Sequence, residues 1–200
     1  MATAGDGSEI RPEPPRLPRP CALLVVDLQM GFEDPSFGTR NNLSCEENVA
    51  RLLAGWRAQD QPVVFVRHDS DSAGSPLRPG APGNHFKSQL EGAPDLLVTK
   101  RVHSAFYGSP DLDQWLQERK VAAIAVCGIT TDHCCETTAR MASDLGYVTA
   151  FVLDATHTFD RLTPTGEPVA ADEVARVTAA SLDGEFAMVL ATDEILGRLG

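Results

Sequence analysis

No apolar run in this 200-residue sequence approaches the roughly 20 residues needed to cross a bilayer, so no segment reads as a membrane span. Positive charge is also scarce: 17 Lys and Arg stand against 28 Asp and Glu, a formal net charge of −11. Nucleic acid and anionic membrane surfaces are gripped by clustered cations, so neither is an expected partner; a small molecule or another protein is. Cysteine is sparse, five residues with no repeated spacing, which excludes a disulfide scaffold and leads us to expect a reducing, cytoplasmic setting. There is no internal repeat. Residues 1–20 are Pro-rich with scattered charges and lack the apolar centre of a signal peptide; they are expected to form a disordered leader, with residues 21–200 as one domain.

What is present is an alternation of short apolar runs with helical patterns. Residues 22–27, 62–67, 96–100, 121–127, 147–153 and 187–192 read as strands, several apolar throughout, as strands covered on both faces are. Between the first two, Ser44 and Glu47 have capping-box spacing ahead of Val49, Leu52, Leu53 and Trp56 on one helical face. Further helices are expected over 110–118, from Cys134 to Gly146 with Cys135, Thr138, Ala142 and Leu145 on one face, over 170–182, and at the end of the chain. Strands alternating with helices predict an α/β fold, a three-layer α/β/α sandwich around a six-stranded parallel sheet of Rossmann-like type. The stretch from His68 to Pro94 has no core pattern, and loops of that length are usually functional or disordered.

Polar residues close these strands at equivalent places. Asp27 ends the first, Lys100 ends the third, and Cys134 follows the fourth, where a helix begins; all three are expected on the carboxyl edge of the sheet, where α/β folds bind ligands. A thiol, an ammonium and a carboxylate together make a chemically complete set. The ammonium stabilises a thiolate, the carboxylate accepts the thiol proton and later returns it, and the sulfur attacks a carbonyl. Backbone N–H groups of Thr130 and Cys134 are candidates to hold the developing oxyanion. On this reading the Cys134 thiolate persists below neutral pH.

Three separated motifs, Leu24-Val25-Val26-Asp27-Leu28-Gln29, Lys100 with Ser104-Ala105-Phe106, and Gly128-Ile129-Thr130-Thr131-Asp132-His133-Cys134, closely resemble the isochorismatase-like cysteine hydrolases, among them nicotinamidases and N-carbamoylsarcosine amidohydrolases. The likeness spans about residues 20–195. It implies an Asp27–Lys100–Cys134 triad, a thioester intermediate in the hydrolysis of a small-molecule amide, a non-proline cis peptide between Ile129 and Thr130, and a homo-oligomer, dimer or tetramer. A narrower likeness, to hydrolases of the streptothricin-hydrolase type, lies in the string after Gly128 and in Asp154 to Phe159.

There are departures. The Asp-x-His pair with which nicotinamidases hold a metal is absent from Arg67-His68-Asp69-Ser70-Asp71, so no metal and no cofactor is expected, and His68, Asp69, Asp71 and His85 are the residues that would form such a site. Isochorismatase itself differs at the nucleophile, and a cysteine there favours acyl chemistry. Gln29, Phe32, His68, His103, His133 and His157 are candidates to line the substrate pocket, while Cys135 is expected to face inward and Cys21, Cys45 and Cys127 to pack. Two rivals remain open: a cysteine phosphatase, since Cys134 and Arg140 have the bare spacing of that signature although no glycine lies between them to form a phosphate cradle, and a catalytically silent binding protein of the same fold.

Overall fold

The computed structural model describes residues 16–199. Six strands form one parallel sheet: β1 (Cys21–Val26), β2 (Val63–His68), β3 (Leu96–Lys100), β4 (Ala123–Ile129), β5 (Val148–His157) and, last in the sheet, a short strand Met188–Leu190, in the order β3-β2-β1-β4-β5 and then that short strand. β1 is buried along its whole length because both of its faces are covered. Alternate residues divide between two cores, as the twofold period of a strand requires. Cys21, Leu23 and Val25 pack with Val49, Leu52, Leu53 and Trp56 of helix α1 (Cys45–Ala58), whereas Ala22, Leu24 and Val26 pack with Leu112 and Leu116 of α2 (Leu112–Glu118), Ala139 and Ala142 of α3 (Glu136–Asp144) and Leu182 of α4 (Ala171–Leu182). A final helix, α5 (Thr192–Leu196), lies on the α1 side through Ile195. This is the three-layer sandwich expected.

Local expectations fail in four places, each for a physical reason. Leu17 is buried in the α1-side core and the Pro20 carbonyl accepts from the Ala122 and Ala123 amides, so the packed domain begins before residue 21; residues 1–15 of the expected leader lie outside the described residues. Ser44 makes no capping bond, because its backbone (φ −90°, ψ 2°) is not in the extended geometry of a cap. Leu145 is 46% exposed, since α3 ends at Asp144 and Leu145 already belongs to the turn into Gly146. β5 continues past Leu153, and its pairing with β4 jumps from Val126↔Phe151 to Gly128↔Thr156, a bulge that periodicity alone reads as a strand end. A two-stranded hairpin, Arg161–Leu162 with Pro168–Val169, was not anticipated.

Gly128 shows how the carboxyl edge is shaped. Its φ is +120°, and a Cβ there would lie 1.9 Å from the Val26 carbonyl oxygen, so only glycine lets the ends of β1 and β4 close together. Directly after it, the Ile129–Thr130 peptide is cis and the chain turns through a π-helical segment, Thr131–Cys135, into α3.

Candidate active site

Three strand ends deliver the polar groups. Asp27, just past β1, takes a left-handed backbone (φ 50°), which aspartate tolerates better than most residues. Lys100 closes β3, and Cys134 sits in the π-helical turn after β4. The side chains meet: Lys100 Nζ donates to Asp27 Oδ2 at 2.6 Å and to Cys134 Sγ at 3.3 Å, and it lies 3.4 Å from His68 Nδ1. Both partners of the Lys100–Asp27 pair are 0% exposed at the side chain. Asp27 Oδ1, also buried, has no hydrogen-bond partner, and Cys134 Sγ, His68 and an Asp27 oxygen lie within 4.8 Å of one another. Asp27 Oδ1 therefore has free lone pairs within a few ångströms of the thiol.

The electrostatics correct one expectation. Burial opposes the Lys100 charge, but Asp27 and Cys134 together outweigh it and raise the ammonium above its ordinary value. The Cys134 thiol is also raised, by burial first and the Asp27 carboxylate second, against the pull of Lys100. Both effects favour a thiol beside a carboxylate as the resting group, against the expected thiolate. Burial and the Lys100 charge lower His68, and burial lowers His133, so both imidazoles are neutral at pH 7.

A cavity of about 170 Å³ opens onto this group, lined by Asp27, Phe32, Phe37, His68, Leu77, His103, Thr130, His133, Cys134 and Arg161. His103 Nδ1 stands 3.6 Å from Cys134 Sγ and its ring is 5.6 Å from that of His133. The loop after β2 is pegged down by Asn84, whose Nδ2 donates to the carbonyls of His68 and Leu77 and to Asp69 Oδ1, which sets Leu77 into the wall.

Of the candidates for the pocket, Phe32, His68, His103 and His133 line it, and two do not. Gln29 is turned away: Nε2 donates to the carbonyls of His68 and Asn84 while Oε1 accepts from the His68 amide, so the side chain braces the loop. His157 is fully buried elsewhere, because the β5 bulge turns it inward against the edge of Phe159 and within 4.0 Å of Glu46. The proposed metal quartet does not assemble. Asp69 bonds Arg67 and Asn84, Asp71 pairs with Arg101, and His85 is exposed. Among the described residues the one group with metal-ligand spacing is Asp27, His68 and Cys134, and Lys100 Nζ already contacts all three, which places a positive charge where a cation would sit. Sequence reasoning missed Phe37 and Arg161. Arg161 is held by Asp132 at 2.9 and 3.1 Å, and Asp132 also accepts from the Thr158 hydroxyl. A lone arginine in a Thr- and Pro-rich stretch carries no signal until the hairpin is known.

Arg140 bonds Glu136 and Ser181 and lies over the Phe186 ring, on a different face from Cys134. The cysteine-phosphatase reading needs that guanidinium beside the sulfur.

A parallel sheet covered by helices on both faces, with polar side chains gathered at its carboxyl edge, is the architecture of an α/β enzyme. Residues 21–181 match the isochorismatase domain model, and the chain belongs to the isochorismatase family of hydrolases. It is 33% identical to the isochorismatase family protein YrdC of Bacillus subtilis over 88% of this chain and 94% of that one. It is 31% identical to nicotinamidase 3 of Arabidopsis thaliana over 70% and 74% of the two chains. A crystal structure of an isochorismatase-family protein from Chromobacterium violaceum superposes with a TM-score of 0.89 at 36% identity, covering 95% of this chain and 99% of that one.

Away from the site, two buried groups make stability depend on pH in the acid range. Burial would raise the Glu46 carboxyl, but bonds from Arg40 and Lys87 outweigh it and bring it down to about 2. Burial, helped by Arg40, lowers His157 to about 3, and neither ring nitrogen has a hydrogen-bond partner. Both shifts are depressions, so the unfolded chain binds more protons at acid pH and stability falls with pH. The His157 contribution is lost from its ordinary value of 6.5 downward, and that of Glu46 from 4.5 toward 2. Urea titrations should show a loss on the order of 2 kcal/mol between pH 6.5 and 4.5. His157→Leu is expected to reduce the loss in that interval, the remainder coming from the lowered His68 and His133, and Glu46→Gln to reduce only the part below it; no loss between pH 6.5 and 4.5 in the unsubstituted protein would contradict the His157 contribution.

Proposed function

We propose that the protein hydrolyses a small-molecule amide or ureido C–N bond through a Cys134 thioester. The observation that carries this reading is the bridging of Asp27 and Cys134 by one fully buried ammonium, at 2.6 and 3.3 Å. Asp27 takes the thiol proton as the sulfur attacks the carbonyl, and Lys100 holds the charge of both partners. The N–H groups of Thr130 and Cys134 receive the oxyanion, a contribution of about 3 kcal/mol per donor to the barrier. Asp27 then passes its proton to the departing nitrogen, and water releases the acid. A cavity of about 170 Å³ walled by Phe32, Phe37 and Leu77 suits a small acyl group with an apolar side. The likeness to a nicotinamidase supports amide chemistry, and five unpaired cysteines support a reducing setting.

The test is a panel of small primary amides, N-substituted amides and ureido compounds, with p-nitrophenyl phosphate beside them. Release of ammonia or amine, with an acyl group trapped on Cys134 by mass spectrometry, is the expected result. Cleavage of the phosphate ester with every amide untouched would overturn the reading.

A further inference from the structure

The 170 Å³ catalytic pocket is smaller than the roughly 300–1,000 Å³ that small-molecule sites usually occupy, whereas a neighbouring groove of about 830 Å³ falls within that range. His103 is the residue the two linings share, and its Nδ1 stands 3.6 Å from Cys134 Sγ, so the groove opens within one imidazole ring of the reacting sulfur. The ring is exposed on the loop after β3, where it can turn aside without disturbing the buried Asp27–Lys100 pair. The charges along the groove are already matched: Lys100 is paired with Asp27, Asp69 with Arg67, and Arg101 with Asp71. What the groove offers is apolar. Val102 and Tyr107 are 48% and 70% exposed, and Met141 of α3 joins them in the lining.

Resting on the amide reading just given, we propose that this groove is the leaving-group subsite, and that the substrate is an N-substituted amide or ureido compound with two unequal halves. Its small acyl part enters the pocket walled by Phe32, Phe37 and Leu77, and its uncharged, apolar N-substituent passes His103 to lie against Val102, Tyr107 and Met141. The direction follows from what surrounds the sulfur. Thr130, whose N–H receives the oxyanion in this reading, lines the small pocket, so the acyl carbon and its side chain belong on that side. Lys100, bonded to the Asp27 that returns the proton, bounds the groove, so the departing nitrogen faces it. A charged substituent would find its counter-ions in the lining already taken, whereas an apolar one gains by covering the exposed valine, tyrosine and methionine.

N-substituted iodoacetamides read the groove without any hydrolysis: the Cys134 sulfur bonds the methylene carbon, iodide leaves, the thiol proton goes to solvent, and the N-substituent is left to find its site. From iodoacetamide to its N-pentyl derivative, with each rate divided by that of glutathione, labelling of Cys134 followed by peptide mass spectrometry should rise about 100-fold in total, roughly threefold for each methylene covered. For N-alkyl amides sharing one acyl group, kcat/KM should rise in parallel, with the gain carried by KM. Val102→Asp and Tyr107→Ser, both at exposed positions, should each cut the pentyl-to-parent labelling ratio by about tenfold. A labelling ratio that stays flat along the series, or one that rises and is untouched by both variants, would overturn the subsite. A flat series together with a Tyr107→Ser protein of lower sedimentation coefficient would overturn it in favour of a second copy of the chain in the groove. Labelling that rises as expected while no amide is hydrolysed would support the subsite and overturn the amide reading alone.

Discussion

Cys134→Ala should lose hydrolysis by about 10⁴-fold or more, the scale on which removal of a covalent nucleophile is felt. Cys135→Ala should retain it, although the two thiols are neighbours in sequence. Cys134 lies against Lys100 and His103 and lines the catalytic cavity. Cys135 is 0% exposed in the core beneath α3, where burial holds its thiol far above the ordinary range. Its sulfur is a packing atom, and deleting it should cost about 1 kcal/mol of stability through the void it leaves. The pair is read by kcat/KM on the best amide and by a denaturation midpoint. The first variant is expected to move the rate and not the midpoint, and the second the midpoint and not the rate. Loss of rate from Cys135→Ala with Cys134→Ala still active would transfer the nucleophile to Cys135.

How far the site can be read from sequence follows from the kind of signal each residue carries. Asp27 and Lys100 stand out because each interrupts an apolar run at a strand end, and strand ends on one edge of a parallel sheet converge whatever the loops do. The strands themselves are legible because β1 and β4 are buried on both faces and so contain no polar interior residue. Gln29 and His157 were misplaced for the opposite reason. Proximity in sequence to a strand end says nothing about which way a side chain leaves the backbone, and at His157 the answer depends on a bulge between β4 and β5 that hydrophobic period does not encode. Phe37 and Arg161 reach the pocket from a short helical turn and a two-residue hairpin, elements too brief to leave a periodic trace. The resting charge of Cys134 was misjudged because a helix start and a nearby lysine are visible in sequence, whereas full burial beside a carboxylate is not.

That last point makes Asp27→Asn the most informative substitution, because two of its effects have opposite signs. Hydrolysis should fall about 10³-fold, since the amide side chain cannot accept the thiol proton or return it to the leaving nitrogen. Alkylation of Cys134 by iodoacetamide at pH 7 should become faster. In the unsubstituted protein the carboxylate opposes ionisation of the thiol, second only to burial. Without it the Lys100 ammonium has lost its counter-ion, and a thiolate 3.3 Å away is the remaining group able to replace it. A neighbouring charge commonly moves a thiol by about one to three units, roughly 100-fold in thiolate at the midpoint of that range. Lower basicity also makes the sulfur less nucleophilic, offsetting about tenfold, so a net acceleration of about tenfold is expected. The lost ion pair should lower stability by about 3 kcal/mol. Lys100→Met should act the other way on the thiol and slow alkylation. If Asp27→Asn slows alkylation and hydrolysis together, the carboxylate is acting as the base in both reactions, and its opposition to the thiolate is too weak to govern the resting site.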